Sequence, residues 1–301
     1  MELIYSGSVK EMFQVPGKKE IEFQFTDKIS VFDKPIPSEI PHKGETLCRT
    51  AIHWFQVAQE MGIKTHFIEQ VSPRRIRVKQ VDIIRDYNKM TTASTNYLIP
   101  CEFITRWYVA GSLHDRIKKG SVSARDLGWK EEREIQYGEK LPDPLFETTT
   151  KLERVDRKID FAEAVKISGI NERTLNEIRD TILHLDRRIN EEVARRGLIH
   201  VDGKKEFGMD ENRKLMILDV FGTADEDRFW DAPQYAQGEW VELSKEVVRQ
   251  HYRKIGYKDA LYGAREKGRP EPDISPLPDE MIEHVSKIYI NLYERITGGK
   301  F

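Results

Sequence analysis

Carboxylate and lysine side chains alternate along one stretch of strand-forming residues, and this spacing favours phosphate and metal chemistry. Asp202, Lys204 and Glu206 are each separated by two positions. Because successive side chains of a strand point to opposite faces of a sheet, these three share one face. A polar turn follows, and residues 214–221 are predicted to return as the second strand of a hairpin. We expect Asp219 to lie roughly opposite Asp202 and to join the same face.

Clustered carboxylates raise the cost of ionising one another unless a cation lies between them. Mg²⁺ suits this position, because it prefers hard oxygen ligands and usually takes one or two carboxylates while substrate phosphates complete its octahedron. Lys204 would then contact a phosphate as a point charge. The alternative is an exposed polar face of the hairpin with no bound ion, and these residues alone leave both interpretations open.

A second segment joins an arginine in a strand to a turn of small residues. Arg106 is predicted to lie in a strand that runs into Ala110, Gly111 and Ser112. Glycine permits close approach of the backbone, and the serine hydroxyl is a donor for an anion. A helix is expected to begin here, and its N-terminus favours anions further. A simple helix cap is the alternative.

Three further segments carry groups that suit phosphates or carboxylates. Gly7 and Lys10 belong to a glycine-containing turn and the start of the next strand, although the Walker spacing is missing. Residues 148–150 are all threonine and precede Lys151 in a region expected to be irregular, where such runs are often ordinary turns. Arg228 ends an acidic loop, and it could grip an anion at two points or form a surface ion pair.

The elements predicted to position these groups are mainly strands first and helices later. Strands are expected within residues 3–25, whereas the three prolines of 27–44 predict a loop without regular structure. Apolar residues recur every three or four positions over 47–61, 175–193 and 281–296, which predicts three amphipathic helices. This order is typical of an α+β fold.

Composition excludes several classes of protein. The 301 residues correspond to about two domains, and Lys+Arg 49 against Asp+Glu 51 gives a net charge of −2, without the basic excess of a general nucleic-acid binder. The sequence lacks both an apolar run long enough to span a membrane and a signal-peptide pattern. We therefore expect a cytoplasmic protein with no nucleic-acid or membrane partner. Cys48 and Cys101 are expected to be buried small hydrophobes.

Taken in order, these segments resemble the SAICAR synthetase family. The resemblance covers about residues 3–253, and it rests on motifs at 7–10, 25–30, 40–44, 106 with 110–112, 149–151, 202–208 and 223–230. It implies a two-lobed fold with ATP in the cleft between the lobes. We assign the N-terminal antiparallel β-rich lobe to residues 1–100 and the larger α/β lobe, with the C-terminal helices, to residues 101–301.

The resemblance also implies a carbon–nitrogen ligase of de novo purine biosynthesis. Family members join the carboxylate of the imidazole nucleotide CAIR to the amine of L-aspartate, giving SAICAR while ATP becomes ADP and phosphate. ATP, CAIR and L-aspartate would be the small-molecule partners, and Mg²⁺ the cofactor. Two alternatives stay open: a small-molecule kinase with the same two-lobed ATP site, and a non-catalytic nucleotide-binding or RNA-binding protein that uses the basic segment 74–79.

Residue roles carried over from the family fall into three groups. The residues expected to bind ATP are Gly7, Lys10, Lys151, Lys204 and Glu206, and the residues expected to hold Mg²⁺ are Glu206 and Asp219. The residues expected to bind substrate are Asp33, His42, Lys43, Gly44, Arg106, Ser112 and Arg228. The catalytic set is Asp202, Lys204 and Arg228, with Asp202 orienting or deprotonating the aspartate amine.

Two positions depart from the family pattern. Ser8 stands where many members have the first of two lysines, and Val220 stands where many have a glutamate after Asp219. Strand alternation places position 220 on the face opposite Asp219, so a metal role for a glutamate there is doubtful. A homo-oligomer stays open, because the apolar helix faces could be core or interface.

Overall fold

The computed structural model describes residues 1–7, 9–243 and 245–301, so Ser8 lies outside the described residues. A five-stranded antiparallel sheet in the order β1-β2-β3-β7-β6 and a separate two-stranded sheet, β4-β5, form the N-terminal part. Their strands are β1 Glu2–Ser6, β2 Lys10–Gln14, β3 Glu20–Phe25, β4 Lys28–Val31, β5 Lys34–Glu39, β6 Phe67–Ser72 and β7 Arg75–Lys79. The strands predicted at the N-terminus are confirmed.

The prediction that prolines prevent regular structure in 27–44 is wrong. Pro35 and Pro37 both lie within β5, which pairs with β4 alone among the described strands. A strand with one neighbour leaves the other side of its backbone outside any ladder, and proline is tolerated there because it has no N–H to donate.

A six-stranded sheet forms the second part of the fold. Its order is β10-β9-β8-β11-β12, and β13 pairs with another part of β11. The strands are β8 Tyr97–Tyr108, β9 Lys140–Thr150, β10 Lys158–Ile159, β11 Leu198–Met209, β12 Leu215–Leu218 and β13 Asp227–Asp231. The threonines 148–150 therefore end a long strand, and the expected irregular region is wrong. Cross-strand pairing with β8 and β10 provides the order that the local sequence does not show.

The described helices confirm the three that periodicity predicts. They are α1 Lys43–Glu60, α2 Gly111–Lys118, α3 Phe161–Ser168, α4 Glu172–Ala194, α5 Ala232–Tyr235, α6 Glu246–Lys254, α7 Tyr257–Glu266 and α8 Asp279–Thr297. The side chain of Asn171 starts α4 by accepting a 2.9 Å hydrogen bond from the backbone of Thr174, which satisfies one unpaired N–H of the first turn.

One continuous hydrophobic core contains residues of all three sheets. Trp54 of α1 is fully buried in it and donates a 2.9 Å hydrogen bond to the carbonyl of Gly222, so α1 is tied to the loop after β12. The apolar faces of α1 and α8 are buried in this core. Cys48 and Cys101 are also buried there, and burial raises the pKa of each thiol to about 12. Among the described helices, none has the length and apolar character needed to cross a membrane.

Candidate active site

Strand β11 carries the candidate site because it has partners on both sides. Arg106 of β8 and Arg228 of β13 are both direct cross-strand partners of Asp202. Four residues further along β11, Glu206 pairs with Glu102 on one side and with Leu218 on the other. At the usual strand rise these two levels are about 13 Å apart. The site therefore has two ends on one strand.

At the Glu206 end, a cleft of about 570 Å³ opens between the five-stranded and the six-stranded sheet. The apolar part of its lining consists mainly of Val9, Met12, Phe23, Val81, Leu98 and Leu218. Its charged lining includes Lys10, Lys151, Glu206, Asp219 and Glu226, which we call the charged wall, and also Lys79 and Arg85. An apolar slot beside a charged wall fits a ligand with a flat ring and a polyanionic tail.

Each lysine of the charged wall is paired with a carboxylate. Lys10 contacts Asp219, and Lys151 lies 2.6 Å from Glu206. Lys204, which adjoins the charged wall, lies 2.9 Å from the same Glu206 oxygen. It also contacts two further carboxylates, Glu102 at 3.0 Å and Glu226 at 3.2 Å.

In the cleft, burial and the neighbouring charges shift the pKa values of Lys10 and Glu206 in opposite directions. Burial lowers the pKa of Lys10 to about 8, although the carboxylates of Glu226 and Glu206 favour its charged form. Burial alone would raise the pKa of Glu206, but Lys204 and Lys151 prevail and hold it at about 2. His66 also lines the cleft, and burial lowers its pKa to about 3. The wall therefore keeps an ionised carboxylate among cations.

The expected hairpin register is wrong. Glu206 pairs with Leu218, so continued pairing would place Asp219 opposite Lys205 and on the other face. However, β12 ends at Leu218, and Asp219 has a left-handed backbone with φ of 56°. This turn brings its carboxylate back to Lys10, and Val220 is buried in the core. Strand alternation does not apply to positions 219 and 220, because both lie beyond the end of β12.

Asp202 does not join Glu206 and Asp219, and this part of the prediction is wrong. Its Oδ2 accepts a 3.0 Å hydrogen bond from Nη1 of Arg106 and a 2.6 Å hydrogen bond from Nη1 of Arg228. The cause is pairing with β8 and β13, which places an arginine on each side of Asp202. The three carboxylates are divided between the two ends of the site.

Arg106 is held from several directions at the Asp202 end. Its Nε donates to Glu147 at 2.8 Å, and its Nη2 donates to the hydroxyl of Ser112 at 3.1 Å. Burial alone would raise the pKa of Glu147, but the charge of Arg106 and neighbouring cations hold it at about 2. The predicted grouping of Arg106, Ser112 and Arg228 is thus present in the structure.

Gly111 allows Arg228 to approach the start of α2. A Cβ added to Gly111 would lie 2.7 Å from Nη2 and 2.9 Å from Nη1 of Arg228, and its φ is 51°. Contacts below 3.0 Å are not tolerated by real Cβ atoms, and this φ is unfavourable for residues with side chains. Glycine therefore suits this backbone conformation, and a side chain here would push the guanidinium of Arg228 out of its present position.

The structure does not place the four residues of the predicted substrate loop with the two arginines. The side chain of Asp33 is 93% exposed and lies 4.0 Å from Arg265. His42 is exposed and precedes α1, whereas Lys43 is fully buried 3.0 Å from Asp225. Gly44 packs against the backbone of β3, where its N–H donates to Asp27 at 2.8 Å.

A buried polar network behind β11 was not predicted. The side chains of His200, Lys205, Asp186 and Asp227 are all fully buried. His200 lies 2.7 Å and Lys205 lies 3.3 Å from the same oxygen of Asp227. Asp227 sits between Glu226 of the cleft and Arg228, so this network fixes the segment that bears both.

Other residues of the site also escaped sequence reasoning. They are Glu102, Tyr137, Glu147, Glu226 and Glu242. Glu102 and Glu147 lie on β8 and β9, and only strand register shows that they reach the site. The acidic character of the loop before Arg228 is the one sequence signal that could have indicated Glu226.

The charged wall fits a magnesium ion accompanied by phosphates. Glu206 and Asp219 line the same cleft, and their present partners are lysines. Among the described residues, no three His, Cys, Asp or Glu side chains form a group that could hold a metal ion. Two carboxylates are nevertheless the number Mg²⁺ usually takes when substrate phosphates supply the remaining oxygens.

A family model described as SAICAR synthetase matches residues 3–262. The chain belongs to the SAICAR synthetase family. Proteins named phosphoribosylaminoimidazole-succinocarboxamide synthase from Thermoplasma volcanium and Thermoplasma acidophilum are each 51% identical to it over 301 residues, with 100% of both chains covered. The predicted family and its ligase function in purine biosynthesis are confirmed, and the kinase and RNA-binding alternatives are not favoured.

Solved structures agree with the SAICAR synthetase assignment. A SAICAR synthetase (Type-2) in complex with ADP has a TM-score of 0.71 and 26% identity, and the match covers 100% of this chain and 99% of that one. The SAICAR synthase of Saccharomyces cerevisiae, complexed with SAICAR, has a TM-score of 0.76 at 22% identity, with 100% and 96% covered. The latter likeness shows the fold, and the predicted α+β class is confirmed.

Proposed function

We propose that this member of the SAICAR synthetase family binds ATP in the cleft between the sheets and CAIR at Arg106 and Arg228. CAIR would be joined to L-aspartate between these two sites. The supporting observation is that β11 carries both ends of the site, with Lys204 between Asp202 and Glu206. The apolar lining would hold the adenine ring, and Lys10, Lys151 and Lys204 would contact the phosphates. The ADP complex of a relative supports the use of this nucleotide.

A carboxylate is a poor electrophile, so it needs a leaving group before an amine can attack it. We propose that a carboxylate oxygen of CAIR attacks the terminal phosphorus of ATP, which releases ADP and forms an acyl phosphate. The neutral aspartate amine then attacks the acyl carbon, and the amide bond forms. Phosphate leaves with that oxygen, and the nitrogen releases one proton to solvent. Lys204 lies where it can offset charge on the transferring group, which is electrostatic stabilisation within a fixed geometry.

Arg106 and Arg228 would hold the phosphate or carboxylate of CAIR, with the hydroxyl of Ser112 beside them. A guanidinium offers planar two-point binding that suits these anions. Asp202 would keep both guanidiniums in place, and deprotonation of the aspartate amine by Asp202 stays a prediction. Glu206 and Asp219 would hold Mg²⁺, which offsets phosphate charge when bound. Cytoplasmic location, the division into lobes near residue 100 and oligomeric state also stay predictions.

ADP release tests this function when each reactant is omitted in turn. We expect full release only with ATP, Mg²⁺, CAIR and L-aspartate together, and amide formation in equal amount. A stable phosphorylated CAIR without amide, even when aspartate is present, would instead indicate a kinase. ADP formation that does not respond to aspartate would contradict the ligase.

A further inference from the structure

Arg228 has a second carboxylate partner besides Asp202. Its Nε lies 3.3 Å from Oε2 of Glu242, a residue in the segment between α5 and α6 whose side chain is only 3% exposed. Glu242 forms an isolated β-bridge with Trp230, so its backbone position is fixed relative to β13. Asp202 contacts Nη1 of Arg228, and Glu242 contacts its Nε. The third nitrogen of Arg228, Nη2, is the atom nearest the Cβ position of Gly111.

The orientation of Glu242 depends in turn on Tyr137. The hydroxyl of Tyr137 donates a 2.6 Å hydrogen bond to Oε1 of Glu242. The two oxygens of Glu242 are thus divided between a tyrosine and an arginine. Tyr137 itself packs within 5.7 Å of Trp230 and 5.8 Å of Trp240, measured between ring centroids, so its ring is held in place.

We propose that Glu242 and Tyr137 are positioning residues that hold Arg228 in the orientation that binds the anionic group of CAIR. An arginine has many rotamers, and a guanidinium that is already fixed loses less conformational freedom when it binds. Tyr137 orients Glu242, and Glu242 in turn orients Arg228. This inference rests on the proposed function, because it takes CAIR as the ligand of Arg228.

The charges around Glu242 indicate that its ion pair with Arg228 depends on pH. Burial raises the pKa of Glu242, while Arg228 opposes this shift and Glu246 adds to it. Burial raises the pKa of Tyr137 as well, so the phenol stays protonated and remains a donor. Asp202 and Glu246 also face Arg228 and keep it charged. As pH falls through the raised pKa of Glu242, that carboxyl becomes neutral and its ion pair with Arg228 is lost.

A double-mutant cycle with Tyr137→Phe and Glu242→Gln tests the proposal. Tyr137→Phe removes a hydrogen bond to a charged group, and Glu242→Gln removes the ion pair with Arg228. We expect each single variant to raise the KM for CAIR about tenfold. The KM for ATP and kcat should change little, as for loss of uniform binding. Because Tyr137 acts through Glu242, the double variant should have the same KM as Glu242→Gln.

Tyr235→Phe is a matched control. Tyr235 belongs to the same aromatic cluster, and its hydroxyl donates a 2.9 Å hydrogen bond to the carbonyl of Gly138 rather than to Glu242. This variant should keep the wild-type KM for CAIR. If Tyr235→Phe raises that KM as much as Tyr137→Phe, or if the double variant shows the product of both single effects, the positioning role is refuted.

The pH profile of the KM for CAIR separates positioning from a structural role. The wild-type KM should rise on acidification through the pKa of Glu242, and this inflection should be absent in Glu242→Gln. Titration of the CAIR phosphate is common to both enzymes and cancels in the comparison. Identical profiles would overturn the proposal. Failure of the proposed function is distinguishable, because then the wild-type enzyme itself would not convert CAIR.

Discussion

Asp202 and Arg228 are direct cross-strand neighbours, and Nη1 of the arginine lies 2.6 Å from Oδ2 of the aspartate. The same oxygen accepts a hydrogen bond from Arg106 on the opposite neighbouring strand. One carboxylate therefore sets the spacing of two guanidiniums. Three adjacent strands are required to make this arrangement, and no short segment of sequence contains it.

Replacing Arg228 with lysine should impair recognition of CAIR although the positive charge is kept. A lysine ammonium is a point charge and cannot contact Asp202, Glu242 and a substrate anion through a planar fork. We expect kcat/KM for CAIR to fall by about 100-fold, the loss of one to two charged hydrogen bonds. Steady-state kinetics with saturating ATP and aspartate measure this, and an unchanged KM for CAIR would mean that the arginine has another role.

Removing either carboxylate from the charged wall should reduce turnover without unfolding the protein. We expect Glu206→Gln and Asp219→Asn to lower kcat by at least about 100-fold, because stabilisation of developing charge is lost. Asp219→Asn should also raise the Mg²⁺ concentration needed for half-maximal activity. Glu211→Gln is the matched control, since Glu211 lies on the same hairpin with a side chain that is 58% exposed. Wild-type Mg²⁺ dependence in Asp219→Asn would contradict the metal assignment.

A methyl group at Gly111 should displace Arg228. We expect Gly111→Ala to raise the KM for CAIR at least about tenfold, because the added Cβ overlaps the guanidinium and the positive φ becomes strained. Gly263→Ala offers a contrast, since Gly263 lies within α7 and nothing is within 4 Å of its Cβ position. That variant should gain roughly 0.5–1 kcal/mol of stability and keep its kinetics. Equal kinetics for both variants would show that Arg228 tolerates the displacement.

Glu147 should make the protein sensitive to acid. Its pKa is lowered from 4.5 to about 2, so its stabilising contribution is complete above about pH 4.5 and is lost as pH falls toward 2. Linkage gives a loss of about 2 kcal/mol in unfolding free energy between pH 5 and 3. Glu147→Gln should lack this part of the loss in urea unfolding, whereas the exposed Glu131→Gln should follow the wild type. If the unfolding free energies of the wild type and Glu147→Gln fall equally with pH, Glu147 is not the source of the acid sensitivity.

The sequence predicts the elements of this fold better than their arrangement. Periodicity identifies α1, α4 and α8, because each buries one continuous apolar stripe. The sequence did not predict that Pro35 and Pro37 lie within a strand. Proline is excluded only from strand positions where a neighbouring strand needs a backbone N–H, and the sequence does not show which strands have one neighbour.

The candidate site was predicted residue by residue but not as a geometry. Alternation correctly grouped Lys204 with Glu206, which contact each other at 2.9 Å. Alternation also placed Asp202 on this face, and the register of β11 with β8 is unbroken from Asp202 to Glu206. The predicted convergence with Glu206 and Asp219 was wrong, because the partners of Asp202 come from β8 and β13. Asp219 reaches the cleft only through its left-handed backbone, a local feature that strand alternation cannot anticipate.

Transfer of isotope from CAIR tests the central claim that its carboxylate is activated by phosphorylation. CAIR labelled with ¹⁸O in both carboxylate oxygens would be converted with unlabelled ATP and L-aspartate, and the products analysed by mass spectrometry. If the acyl phosphate forms, each phosphate released should carry one ¹⁸O atom and each amide should keep the other. Amide formation that leaves the released phosphate unlabelled would contradict the account.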